Sequence, residues 1–258
     1  MKRSFACIIA MLLICSSFLI LQKDKPVFYI IGDSTVRNGD GSGKNQQWGW
    51  GSFIAGYFDT TKISVSNQAI GGRSSRTFIT EGRWERITAT LKKGDYVIMQ
   101  FGHNDAGPLD DTARARGTIQ GTGEESKDIF NPITKKDETV HTYGWYMRKY
   151  IREAKAKGAV AIVCSPVPRD NWKEGKVSRS TDSYTKWAKE VAREEQCFFI
   201  DLNDIIATEY EALGTEKVKA FFPADHTHTD KAGAELNASI VIRELKKISS
   251  PGLVTFLK

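Results

Sequence analysis

Residues 27–35 read VFYIIGDST, an unbroken apolar run that ends in a glycine and three polar residues. A run rich in Val, Ile, Phe and Tyr, without alternation, is typical of a strand that is buried on both faces of a parallel sheet. The polar residues that follow would then occupy the turn at the carboxyl end of that strand. Open α/β sheets bind their ligands at this end.

Further apolar runs of the same kind lie at residues 63–65, 96–101, 160–164 and 198–200. Helical periodicity marks the intervening segments 143–156, 184–192, 205–213 and 231–245. Because strand and helix alternate along the chain, the pattern predicts an α/β domain that is doubly wound around a parallel sheet. The sequence shows no internal repeat and no second core, so we expect a single domain at residues 26–250.

Segment 106–142 departs from this pattern. It is rich in Gly, Asp, Thr, Lys and Glu, contains Pro108 and Pro132, and shows no sustained period. We therefore expect a long loop. Loops of this length in compact domains are usually functional or mobile, and this one directly follows a strand end.

The N-terminus carries a targeting pattern. Lys2 and Arg3 precede an apolar run at residues 5–21, which is typical of a secretory signal. We expect residues 1–22 to be a signal peptide or an N-terminal anchor, with lipidation of Cys15 as a third alternative. The protein would then be exported: periplasmic, extracellular or membrane-anchored through its N-terminus.

The composition excludes several classes of protein. The 258 residues include 40% hydrophobic and 26% charged residues, which excludes disordered and collagen-like chains. The net charge of +6 permits an acidic partner such as nucleic acid, anionic lipid or acidic glycan. No run of Lys and Arg exceeds two residues, and together with the leader this argues against nucleic acid.

Two of the four cysteines, Cys164 and Cys197, lie outside the leader. Their spacing does not suit a zinc site. Export would make a disulfide between them chemically feasible, but two buried free thiols are the favoured interpretation.

Four polar motifs stand at the predicted strand ends and before the last helix. They are Gly32-Asp33-Ser34-Thr35, Gly71-Gly72-Arg73-Ser74, Phe101-Gly102-His103-Asn104-Asp105 and Asp225-His226-Thr227-His228. Each motif also has an interpretation without catalysis. Ser34 can be a helix N-cap, the second and third motifs can be simple turns, and the fourth can be a capping cluster or a metal site. Together they supply a nucleophile, backbone and amide donors, a base and an orienting acid. These are the parts that acyl transfer requires.

These motifs resemble the four blocks of the SGNH (GDSL-type) hydrolases and, more narrowly, of rhamnogalacturonan acetylesterases. The similarity to that narrower family is carried by residues 32–35, 67–76, 101–105, 222–229 and 232–234. It implies a three-layer α/β/α, flavodoxin-like fold with a five-stranded parallel sheet. It also implies that neither a metal nor an organic cofactor is needed, and that the substrate is the acetylated acidic pectin rhamnogalacturonan.

The resemblance implies a role for each motif residue. Ser34 would be the nucleophile, His228 the base and Asp225 the acid that orients it. The oxyanion hole would consist of the N–H groups of Ser34 and Gly72 and the side-chain amide of Asn104. We expect His226 to be structural and His103 to support Asn104.

Residues that contact the substrate are harder to choose. Arg73 and Arg76 lie beside the oxyanion motif, where a guanidinium can pair with a galacturonate carboxylate; an internal salt bridge is the alternative. His141, at the end of segment 106–142, is a third candidate, and an exposed residue without function is its alternative.

The motifs are also compatible with other functions. The same serine chemistry serves acetylated xylan, other acetylated glycans and lipid esters. A non-catalytic glycan-binding protein on the same fold is an alternative of a different class. A Rossmann-type nucleotide binder is disfavoured because the first strand is not followed by Gly-x-Gly-x-x-Gly. We expect a monomer.

Overall fold

Five parallel strands form the central sheet of the computed structural model, which describes residues 25–248 and 252–258. In spatial order they are β2 (Ser64–Asn67), β1 (Val27–Gly32), β3 (Tyr96–Gln100), β6 (Val160–Cys164) and β9 (Phe198–Ile200). The predicted α/β fold with a five-stranded parallel sheet is confirmed. The strand order reverses direction between β1 and β3, so their carboxyl ends border the crevice in which such sheets bind ligands.

Seven α-helices connect and cover the strands of the described chain. They are α1 (Ser75–Thr80), α2 (Arg83–Thr88), α3 (Tyr143–Ala156), α4 (Tyr184–Glu194), α5 (Leu202–Leu213), α6 (Thr215–Lys219) and α7 (Lys231–Lys247). Short 3₁₀ helices occupy Trp50–Ser52, Ile54–Tyr57 and Leu253–Phe256. Helix α5 begins three residues earlier than predicted because the Asp201 side chain accepts a hydrogen bond from the Asp204 N–H and caps it.

A separate hydrophobic core lies on each face of the sheet. Along β1, Phe28 and Ile30 pack into the core under α5 and α7, whereas Tyr29 and Ile31 pack into the core under α1 to α4. Strands β3 and β6 alternate in the same way. Burial on both faces explains why these strands read as continuous apolar runs, and it produces the three layers.

Segment 106–142 contains an antiparallel hairpin, so the expectation of a loop throughout is wrong. Its strands are β4 (Ser126–Asn131) and β5 (Lys136–His141). The hairpin buries one apolar side chain on each strand, Ile129 and Val140, while Phe130 next to Ile129 is exposed. One buried apolar residue per strand is too few to give a strand pattern. A second, very short hairpin joins β7 (Trp172–Lys173) and β8 (Lys176–Val177).

Cys164 and Cys197 are free thiols, as predicted, but only Cys164 is buried and Cys197 is partly exposed. Burial raises the pKa of both, that of Cys197 to about 11. At the C-terminus Leu253 is buried, and the Asp59 N–H donates to the Phe256 carbonyl at 2.7 Å, so residues 252–258 pack on the domain.

The predicted signal peptide or anchor at residues 1–22 lies outside the described residues. Among residues 25–248 and 252–258, none of the helices combines the length and the apolar character that crossing a membrane requires.

Candidate active site

Ser34 lies in a tight turn directly after β1. A Cβ at Gly32 would approach the Gln100 carbonyl oxygen to 2.6 Å, so only glycine fits where the turn begins. Asp33 Oδ1 accepts hydrogen bonds from the Thr35 N–H at 2.9 Å and from the Thr35 hydroxyl at 2.8 Å. These local bonds hold the turn so that Ser34 lines a cleft of about 280 Å³ at the sheet edge.

Ser34, His228 and Asp225 form a continuous chain of hydrogen bonds. His228 Nε2 lies 2.8 Å from Ser34 Oγ, and His228 Nδ1 lies 2.8 Å from Asp225 Oδ2. If Nδ1 carries the proton, it donates to the carboxylate, and Nε2 is left as an acceptor for the serine hydroxyl. This is the relative placement of nucleophile, base and orienting acid in serine hydrolases.

The turn at residues 225–228, hereafter turn 225–228, is organised by its own carboxylate. Asp225 Oδ1 accepts from the backbone N–H groups of Thr227 at 2.7 Å and His228 at 2.9 Å. Burial alone would raise the pKa of Asp225, but the hydrogen bonds from the His228 ring and from these N–H groups lower it below its usual value. The carboxylate therefore stays ionised beside the imidazole.

Three hydrogen-bond donors line the cleft next to Ser34. In the described part of the chain, neither the Ser34 N–H nor the Gly72 N–H donates to another protein group. Gly72 has a φ of +80°, a left-handed conformation that favours glycine. The Asn104 amide donates one hydrogen to the Arg73 carbonyl at 2.9 Å, which leaves the second for a ligand. The three residues of the predicted oxyanion hole thus share one cleft.

Gln47 is a site residue that the sequence did not reveal. Its Nε2 donates to Asp225 Oδ2 at 2.9 Å, across 178 positions of the chain. Asn38 holds Gln47 in turn by donating to its Oε1 at 3.0 Å. Gln47 lies in a polar stretch with no motif around it, so no sequence signal marks it.

Arg76 is not a substrate contact, and that expectation is wrong. Its side chain is wholly buried and pairs with Glu138 through two hydrogen bonds of 2.7 Å. Its remaining terminal nitrogen donates to the carbonyls of Leu109 at 2.8 Å and Gly117 at 2.9 Å. The internal salt bridge, which was the alternative, is the observed state.

The other two predicted contacts also lie outside the Ser34 cleft. Arg73 pairs with Glu81 at 3.0 Å and donates to the Gly71 carbonyl at 2.9 Å. His141 stacks on Trp145, with ring centroids 3.9 Å apart.

The remaining histidines differ sharply in exposure. His226 is exposed and lies outside the cleft, whereas His103 lines the cleft beside Asn104. Burial lowers the pKa of His103, which favours a neutral ring. Among the described residues, no three His, Cys, Asp or Glu side chains are grouped as metal ligands would be.

Comparison with known proteins agrees with this geometry. Residues 30–236 match the model of the GDSL-like lipase/acylhydrolase family. The chain belongs to this family and is a carboxylic ester hydrolase. The resemblance to rhamnogalacturonan acetylesterases that the motifs indicated is confirmed by similarity over most of the chain.

Two curated relatives carry that similarity, and a solved structure shares the fold. A rhamnogalacturonan acetylesterase of Emericella nidulans is 34% identical over 83% of this chain and 82% of its own. A protein of Bacillus subtilis named a probable rhamnogalacturonan acetylesterase is 33% identical over 89% of this chain and 97% of its own. The crystal structure of the Bacillus subtilis protein YxiM superposes with a TM-score of 0.71 at 28% identity. That match covers 89% of this chain but spans only 58% of the other.

Proposed function

We propose that this esterase removes acetyl groups from acetylated rhamnogalacturonan, with Ser34 as the nucleophile. The observation that carries the proposal is the hydrogen-bonded chain from Ser34 Oγ through His228 to Asp225, with both steps at 2.8 Å. The substrate is supported by the names of the two curated relatives.

In the first half of the reaction, His228 Nε2 takes the Ser34 proton as Oγ attacks the acetyl carbonyl carbon. The oxyanion that forms accepts hydrogen bonds from the N–H groups of Ser34 and Gly72 and from the Asn104 amide. When the tetrahedral intermediate collapses, the sugar oxygen leaves and takes its proton from His228. Ser34 then carries the acetyl group.

In the second half, His228 takes a proton from water as that water attacks the acetyl-serine. Collapse of the second intermediate releases acetate and returns the proton to Ser34. Asp225 keeps the His228 ring in one tautomer and offsets its positive charge in both halves. Gln47 holds the Asp225 oxygen that faces the ring.

The lining of the cleft favours a small acyl group. Apart from two glycines, the described residues around it carry hydroxyl, amide, imidazole or guanidinium groups. They are Ser34, Asn38, Gln47, His103, Asn104, Arg114, Arg116, Arg169, Thr227 and His228. A long hydrocarbon chain needs apolar walls. The polar groups directly around Ser34 therefore favour an acetyl ester over a lipid ester.

The test measures acetate release by the purified protein from acetylated rhamnogalacturonan and from acetylated xylan, with Ser34→Ala as the control. We expect faster release from rhamnogalacturonan and none above background from the variant. Faster release from xylan, or a preference for long-chain esters, would contradict the proposed substrate. Turnover by Ser34→Ala would contradict the proposed nucleophile.

We also propose that the protein is exported through residues 1–22, supported by the basic and apolar leader. Cell fractionation followed by N-terminal sequencing tests this. Cytoplasmic protein that retains its leader would contradict it.

A further inference from the structure

The cleft around Ser34 carries arginines without carboxylate partners. Arg114 and Arg116 reach it from segment 106–142, and Arg169 reaches it from the chain after β6. Within the described residues none of the three forms an ion pair, and no Asp or Glu lines this cleft. The hydrogen bonds that Arg116 and Arg169 donate go to the backbone carbonyls of Gly72 and His103.

Several other arginines of the described residues form ion pairs. Arg76 pairs with Glu138, and Arg179 pairs with both Asp204 and Glu211. Within that part of the chain Arg37, Arg86 and Arg193 form none, but they do not line the Ser34 cleft, which therefore gathers three unpaired arginines in one place. Like charges gathered in one cleft repel one another and attract an anionic ligand.

Arg116 shows most directly that burial and a neighbouring positive charge disfavour a charged guanidinium in this cleft. Its side chain is half-buried and donates to the Gly72 carbonyl at 3.2 Å. Burial, and then the neighbouring Arg114, lower the pKa of Arg116, against a smaller opposing effect of buried and loop carboxylates. A ligand carboxylate beside this guanidinium would compensate the charge.

The backbone that presents Arg114 and Arg116 is held in place without a ligand. The Arg76 guanidinium donates to the carbonyls of Leu109 and Gly117, which bracket both arginines in the chain. The Thr118 N–H donates to the Asp105 carbonyl at 2.9 Å. Because the backbone of the segment is fixed, binding a carboxylate requires ordering of the arginine side chains but not of the backbone that presents Arg114 and Arg116.

Arg169 links the Ser34 cleft to a second one. That neighbouring cleft, of about 240 Å³, also includes His103 and Arg169 and has walls formed by Pro166, Val167 and Tyr184. The two clefts thus meet at Arg169. A sugar chain can lie across both, with the apolar face of one residue against these walls and its charged group at the arginine.

We propose that Arg114, Arg116 and Arg169 form a subsite for a uronate carboxylate of the acetylated sugar chain. The subsite makes the esterase selective for an acidic polymer, because a guanidinium binds a carboxylate through two parallel hydrogen bonds. This inference rests on the proposed function and assigns its specificity to named residues.

The test compares kcat/KM on two forms of acetylated rhamnogalacturonan, one with free carboxylates and one with methyl-esterified carboxylates. We expect the unmodified protein to favour the free acid by about tenfold or more, as the loss of a charge-assisted hydrogen bond implies. Arg169→Gln and Arg114→Gln should each move that ratio towards one. Arg193→Gln, which removes the same charge from an exposed position on α4, should keep the original ratio.

The outcomes separate the two proposals. If the unmodified protein deacetylates neither form, both fail. If it deacetylates both forms at equal rates, or if the two cleft variants keep its preference, the arginine subsite is overturned while the acetylesterase function stands. Thermal unfolding of each variant confirms that the comparison is made on folded protein.

Discussion

Two stretches flank Ser34, and they are held in opposite ways. Turn 225–228 is organised locally, because Asp225 bonds to the backbone two and three residues ahead and to the ring of His228. Segment 106–142 is held from a distance, because Arg76 on α1 donates to the carbonyls of Leu109 and Gly117, 33 and 41 positions further along the chain. A turn organised by local hydrogen bonds has its residues at a fixed short separation, which can be recognised in the sequence. A segment held by distant residues has no such pattern.

The largest effect is expected in turn 225–228. His228→Ala removes the proposed base, and kcat should fall by about a thousandfold or more. His226→Ala, two positions away and exposed, should retain measurable turnover. Steady-state hydrolysis of an acetyl ester checks both. Retained activity in His228→Ala together with loss in a folded His226→Ala would reverse the assignment.

In segment 106–142 the largest effect should be on stability. Glu138→Ala leaves the wholly buried Arg76 guanidinium without its carboxylate. Breaking a buried ion pair in this way typically costs about 3–5 kcal/mol of unfolding free energy. Denaturant unfolding measures the loss, with the exposed Glu85→Ala as the control. A loss no larger than that of the control would show that the pair does not hold the segment.

Asp105, where segment 106–142 begins, should give the stability a pH dependence. Burial, opposed by hydrogen bonds from Ser75, raises the pKa of Asp105 from 3.8 to about 7. Between these values the native state binds a proton that the unfolded state does not, so stability falls as pH rises from about 4 to 7. Across this pH range the unfolding free energy should fall by roughly 4 kcal/mol.

Asp105→Asn keeps an oxygen that can accept from the Ser75 N–H, but it does not titrate. The stability of this variant relative to the unmodified protein should therefore increase across the same pH range. Unfolding free energies measured at several pH values check this. Parallel curves for the two proteins would mean that Asp105 is ionised in the folded state throughout.

The smallest effect is expected at Gln47, which supports turn 225–228 from a distance, as does the Asp170 N–H through its 2.8 Å hydrogen bond to the His226 carbonyl. Gln47→Ala removes one donor from Asp225 but leaves the two backbone donors and His228. A single hydrogen bond to a charged group predicts a fall in kcat of about tenfold. The exposed Gln68→Ala is the matched control. Unchanged kcat would mean that local bonds alone position Asp225.

The sequence predicted the sheet and the four motifs for a physical reason. Strands buried on both faces are continuous apolar runs, and parallel strands bring their carboxyl ends to one edge. The hairpin at β4 and β5 escaped prediction because each strand buries a single apolar side chain, Ile129 or Val140, and the neighbouring Phe130 is exposed. Neither strand therefore has an apolar pattern of its own.

What the sequence by itself determined is the chemistry that depends on neighbours in the chain: the turn that presents Ser34, the left-handed Gly72 and the three-residue spacing of Asp225 and His228. Only the tertiary structure decided which arginine is buried and which is available. Arg76 lies within two residues of the oxyanion motif, but it is buried in an ion pair with Glu138. Arg114, Arg116 and Arg169 reach the cleft and form no ion pair there. The reason is that a guanidinium is free or neutralised according to the carboxylates that folding brings near it, and these lie far away in the chain.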